Sequence, residues 1–120
     1  MTDSTYRHLK VEETRNVSYI KVLDELIRED FRIRDELLGF VSSGKPTLML
    51  DLGKVKFASA GFLATLVKMH MDLEKQQRKL KVYSLSTQLR EVFVNTKLHK
   101  YLDIYENEDA AFQSVQMMHH

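Results

Sequence analysis

Apolar residues recur along the chain in two rhythms, one of period two and one near 3.6. Lys10–Arg15 and Val17–Leu23 follow the first and are predicted strands. In the second of these, Val17, Tyr19 and Lys21 share one face and Ser18, Ile20 and Val22 the other, and neither face is cleanly polar. Asp24–Arg28 fits either a short further strand or the beginning of a helix. From Asp30 the period lengthens. Ile33, Leu37, Phe40 and Val41 stand at i, i+4, i+7 and i+8, one stripe of a helix with Asp30 as its N-cap, and Gly44 and Pro46 supply the stop.

Thr47–Leu52 is short and almost continuously apolar, the signature of a strand covered on both faces. Gly53–Phe57 reads as a connection. Ser59 then stands as N-cap to a second helix, whose apolar positions are Phe62, Leu63, Leu66, Val67, Met69, His70 and Leu73. Leu80–Leu85 alternates again as a strand. Ser86 caps a third helix carrying Leu89, Val92 and Phe93, which ends near Asn95 or Thr96. Tyr101–Tyr105 is a further strand, and Asn107 caps a last helix with Ala111, Phe112, Val115 and Met118 inward.

The resulting order, β-β-α-β-α-β-α-β-α, predicts an α/β fold: a mixed, mostly parallel sheet of about four to five strands with helices packed against it. The expected core includes Leu50, Leu52, Leu63, Leu66, Val67, Val82, Leu89 and Phe93. One proline, no Ser/Gly-rich linker and no internal repeat leave residues 1–120 as a single expected domain.

Composition narrows the function classes. With 43% apolar and 29% charged residues the chain is an ordinary globular one, and disorder as a whole-chain description is excluded. No apolar run approaches the about 18 residues of a membrane span, so no membrane insertion is expected. The N-terminal stretch MTDSTYRHLK lacks the apolar segment of a secretion signal, and cysteine is absent. Both point to a cytoplasmic protein without disulfides, thiolate chemistry or Cys-bound metal. A net charge of +1, from 18 basic and 17 acidic side chains, gives no bulk attraction for polyanions, and no direct nucleic-acid partner is expected.

The remaining charge is unevenly spread. Lys75, Arg78, Lys79 and Lys81 face Glu74 alone and are expected as a solvated cationic face at the end of the second helix, where they complement the helix dipole. Asp103, Glu106, Glu108 and Asp109 precede the last helix, where the same dipole favours acids.

Enzyme signatures are missing. Gly44-Lys45 lacks the upstream glycine of a phosphate loop and is followed by Pro46. Four glycines form no dinucleotide fingerprint, and no serine lies in a G-x-S-x-G context. None of His8, His70, His99, His119 and His120 belongs to a metal-binding helical pair, and His70 is expected at the edge of the core. No cofactor, metal or catalytic residue is expected.

One junction carries information. Leu48–Leu66 runs from a buried strand ending in Asp51-Leu52, through a short loop, to Ala58-Ser59-Ala60-Gly61-Phe62-Leu63 at a helix start. This resembles the STAS domain, the fold of bacterial anti-sigma factor antagonists. There a strand ending in apolar-Asp-Leu is followed by Asp-Ser-Ser-Gly or Asp-Ser-Thr-Gly, then Leu and a helix. The likeness continues through Leu85-Ser86, the helix with Leu89, Val92 and Phe93, and the strand before the acidic stretch. It covers about residues 45–115, while the first forty residues match in layout only.

The resemblance implies a non-enzymatic protein–protein regulator, in which the serine matching Ser59 is phosphorylated by a partner that is both serine kinase and anti-sigma factor. The unphosphorylated form binds that partner and phosphorylation abolishes binding. Ala58, Ser59, Ala60, Gly61 and Phe62 then form the docking segment, with Ala60 and Gly61 keeping the approach to Ser59 open. A weak homodimer is a further expectation. Here Ala58 replaces the family's Asp and Ala60 its second hydroxyl residue. Ser59 therefore has three readings: an N-cap, a phosphorylated switch, or an unphosphorylated docking residue. The family also includes accessory subunits of lipid or anion transport complexes, and a small-ligand or nucleotide site at the same loop is a further alternative.

Overall fold

The structure is a computed structural model that describes residues 2–3, 6–28 and 31–117. Strands β1 (Thr2–Asp3), β2 (Leu9–Glu13) and β3 (Val17–Val22) are followed by the two-residue β4 (Leu26–Ile27) and helix α1 (Phe31–Ser42). Then come β5 (Thr47–Asp51), β6 (Phe57–Ala58), α2 (Ala60–Lys75), β7 (Lys79–Tyr83) and α3 (Thr87–Asn95). A 3-10 turn (Leu98–Lys100), β8 (Asp103–Tyr105) and α4 (Glu108–Met117) complete the chain.

Six strands form one sheet in the order β1-β2-β3-β5-β7-β8. The pairs β1/β2 and β2/β3 are antiparallel, and β3/β5, β5/β7 and β7/β8 are parallel. The sheet is thus mixed and mostly parallel, with the short edge strand β1 added to the four to five expected. The Asp30 cap and Met118 lie outside the described residues.

The apolar run of β5 has a direct cause. Leu48 and Leu50 face the core shared with α1, α2 and α3, while Met49 faces Val17, Tyr83 and Ala111 of α4 on the opposite side. Fully burying each of these side chains contributes about 1.5–3 kcal/mol relative to exposure. Three helices therefore cover one face of the sheet, and α4 covers part of the other.

The helical stripes are narrower than their apolar residues allow. In α1 the buried residues are Ile33, Leu37, Phe40 and Val41, as the period predicts. In α2, Thr65 is buried and Val67 only half-buried. Val67 is one residue, about 100°, round the helix from Leu66 and sits at the stripe's margin. In α3 the i, i+4 pair Leu89 and Phe93 is buried, whereas Val92 is 37% exposed.

The cationic segment differs from expectation. Arg78 is not part of a solvated face. Its guanidinium donates to the carbonyls of Phe40 (2.6 Å), Val41 (2.8 Å) and Lys45 (3.1 Å), satisfying acceptors left open where α1 ends. A Cβ on Gly44 would stand 2.9 Å from that guanidinium and 2.7 Å from the Phe40 carbonyl, so the helix stop needs glycine for space. Lys81 is 3% exposed on β7 and donates to Asp103 at 3.1 Å and to the Tyr105 hydroxyl at 3.3 Å. Both departures come from partners distant in sequence, which a local reading of charge does not contain.

Candidate functional site

The predicted docking segment is assembled by backbone hydrogen bonds. After β5 the Asp51 carboxylate accepts from Gly53 N–H at 2.8 Å and turns the chain. A Cβ on Gly53 would lie 3.0 Å from that carboxylate oxygen, so a larger residue would press on the Asp51 side chain. Val55 N–H bonds back to Leu52 at 3.0 Å. Residues 53–56 form the expected connection, and the last residue expected in it, Phe57, joins Ala58 in β6, which pairs in parallel with β4. Lys56 and Phe57 N–H both reach the Glu25 carbonyl, at 2.7 and 3.2 Å, and Ser59 N–H reaches Ile27 at 2.8 Å. Asp24–Arg28 thus resolves as a short strand rather than a helix start.

Ser59 occupies the N-cap of α2 with extended backbone, φ −66° and ψ 159°. Its hydroxyl oxygen accepts from Phe62 N–H at 3.2 Å and its carbonyl from Leu63 N–H at 3.1 Å. The Thr65 hydroxyl donates to the Gly61 carbonyl at 3.0 Å, within the first turns. Serine is placed here because its side chain satisfies an amide that the helix leaves open.

The five predicted docking residues separate in space. Ala58 and Phe62 are buried in the core, where Phe62 anchors the helix. Ser59 and Gly61 are half-buried, and Ala60 is exposed. Two further residues join them that sequence reasoning left out. Leu26 and Phe57 are strand partners in register and are 54% and 52% exposed, an apolar pair at the surface two residues before Ser59. The available signal was the apolar-apolar step in each segment, Leu26-Ile27 and Phe57-Ala58, one residue inward and one outward. The only ion pair across this edge among the described residues is Lys56 with Glu25 at 3.5 Å, both well exposed.

The other face of the sheet holds a polar cluster at the C-terminal ends of the parallel strands. The Tyr83 hydroxyl donates to Glu108 at 3.2 Å. Burial, and then the charges of Glu108 and Asp51, push its phenol well above the ordinary tyrosine range. Burial and Glu108 push Tyr19 in the same direction. His70 lies at the core edge as expected, with Nε2 2.8 Å from Glu74. Among the described residues no group of three His, Cys, Asp or Glu could hold a metal ion, and no helix is long and apolar enough to cross a membrane.

A family model described as "Mlab, STAS domain" matches residues 9–105. The chain belongs to the STAS family. Its fold is that of the anti-sigma factor antagonists. An anti-sigma factor antagonist from Mycobacterium paratuberculosis superposes with a TM-score of 0.79 at 24% identity, over 90% of this chain and 92% of that one. The Bacillus cell fate determinant SpoIIAA, in its phosphorylated form, gives 0.65 at 18% identity, over 89% and 98%. The murine anion transporter Slc26a9 gives 0.73 at 16% identity, over 88% of this chain and 18% of the transporter. No curated protein matches the chain. In this STAS chain Ser59 stands at the start of the helix that follows β5, as the motif resemblance requires.

Proposed function

We propose that this STAS chain, with residues 1–120 acting as one cytoplasmic module, binds an anti-sigma factor that is also a serine kinase. Docking would use the shoulder formed by Ser59, Ala60, Gly61 and the exposed pair Leu26 and Phe57, with Ala58 and Phe62 holding it from below. Phosphorylation of Ser59 switches the complex off. The observation that carries this reading is the position of Ser59: a half-buried N-cap serine on α2 beside an exposed apolar pair.

The physics of the switch follows from that position. A phosphoserine carries about −1.5 to −2 charges and three acceptor oxygens. Within the chain these meet the open amides and positive dipole end of α2, so the fold tolerates them. In a closed interface the same dianion must lose its water against the apolar Leu26 and Phe57, which cannot hydrogen-bond it. Binding falls while the fold persists. Phosphorylation is also part of the comparison, since SpoIIAA has been solved in a phosphorylated form.

The test is capture from a lysate of the source organism with wild type, Ser59→Asp and Phe57→Ser as parallel baits. The expected result is an ATP-binding anti-sigma factor retained by wild type and lost with both variants, together with phosphate incorporation at Ser59 on adding ATP. Retention of that protein by Ser59→Asp at wild-type level would remove the switch. A second reading, an accessory subunit of a lipid or anion transport complex, is favoured by the fold match within Slc26a9 and by the family description. Capture of a permease or its ATPase in place of the anti-sigma factor decides for it.

A further inference from the structure

Beside α3, the 3-10 turn and β8 lies an open cleft of about 460 Å³, lined by none of the Ser59 shoulder residues. That lies within the roughly 300–1,000 Å³ typical of small-molecule sites. Its base is apolar, made by the buried Leu85, Phe93 and Leu102 with Ile104 beside them. Val94, 51% exposed, stands at the mouth.

The charged groups at this cavity are not balanced. Asp103 is turned to the buried ammonium of Lys81 at 3.1 Å and is neutralised there. Tyr105 accepts from the same ammonium at 3.3 Å. The His99 ring donates from Nδ1 to the Phe93 carbonyl at 3.3 Å, since a carbonyl can only accept. Arg90 is exposed at the rim, and among the described residues its guanidinium makes no hydrogen bond or ion pair. The cleft therefore has an apolar base and a polar rim, and among the described residues the one rim guanidinium has no side-chain partner.

We propose that this cavity binds a small amphiphilic anion: an apolar body of medium alkyl length with a single carboxylate, the body on Phe93 and Leu102 and the head on Arg90. Burial of the body supplies the affinity, in proportion to the apolar area removed from water. The guanidinium fork supplies the choice of head group, because it pairs with a carboxylate through two parallel N–H donors. A cationic head is repelled, and a neutral one leaves the guanidinium unpaired. The proposal does not rest on the Ser59 reading, which involves different residues.

The test is an amide ¹H–¹⁵N titration of the full chain with decanoate, decanol and decyltrimethylammonium, each below its aggregation limit. Saturable shifts are expected at Arg90, Phe93, Val94, His99 and Ile104. Decanoate should bind about fivefold more tightly than decanol, the size of a solvent-exposed ion pair. The cation should produce no saturable shift at these amides. Arg90→Gln should abolish the preference for decanoate over decanol, and Arg90→Lys should retain part of it. Decanol binding as tightly as decanoate, or shifts gathered at Leu26 and Phe57 instead, would overturn the proposal.

Discussion

The Ser86 hydroxyl links α3 to the loop that leads to Ser59: it donates to the Val55 carbonyl at 2.9 Å and accepts from Leu89 N–H at 3.1 Å. One side chain thus caps a helix and fixes a loop 31 residues earlier in the chain. Ser86→Ala removes the cap, worth about 0.5–2 kcal/mol. It also strands a carbonyl, which costs about 1–3 kcal/mol when buried. A loss of about 2–4 kcal/mol in urea unfolding is expected. Ser86→Thr, which keeps the hydroxyl, should lose much less.

Leu66 is fully buried on α2 and belongs to the larger core cluster. Leu66→Ala should cost about 2–5 kcal/mol, because α2 packs on β7, whose residues are held in the sheet and collapse little into a gap. Val67→Ala, at the margin of the same helix, should cost less than half as much. Equal losses in a denaturant titration would contradict the packing described here.

Ser59 variants separate capping from recognition. Ser59→Ala loses the acceptor for Phe62 N–H and should destabilise by about 0.5–2 kcal/mol. Aspartate is itself a good N-cap, and its charge suits a helix N-terminus. Ser59→Asp should therefore unfold within about 0.5 kcal/mol of wild type. Thermal or urea unfolding of the two variants checks this, and the outcome makes Ser59→Asp a usable bait in the capture experiment.

Tyr83 gives the molecule an alkaline sensitivity. An acid with its folded pKa raised above the unfolded value holds its proton more tightly when folded. Its contribution is complete below the unfolded pKa, about 10, and is lost as pH rises beyond it. Wild type should lose stability between about pH 9 and pH 11 more steeply than Tyr83→Phe, with the titrations of Tyr19 and the lysines common to both. Parallel slopes in urea midpoints measured across that range would remove this role from Tyr83.

What the sequence made legible was local. Ser59, Ser86 and Asn107 each cap the helix that follows, since an N-cap needs only a short polar side chain and an amide two or three residues on. Thr47–Asp51 was readable because a strand buried on both faces has no polar positions to spare. The β4/β6 pair was not, because each partner is two residues long and pairing across about thirty residues leaves no periodicity. For the same reason Leu26 and Phe57, the exposed apolar pair beside Ser59, were missed. Arg78 and Lys81 read as surface cations until their acceptors, on α1 and β8, were placed beside them. Ala58 shows the limit in the other direction. The sequence located it beside the serine, and the fold buried it.

The three carbonyls gathered by Arg78 join the end of α1 to the turn between α2 and β7. Helix ends ordinarily fray one residue at a time, and their amides exchange with solvent first. Here opening the last turn of α1 also breaks its hydrogen bonds with Arg78, the residue that leads into β7. Fluctuations of the two regions are therefore coupled, and their slow-exchanging amides should share one opening free energy rather than form a gradient toward Ser42.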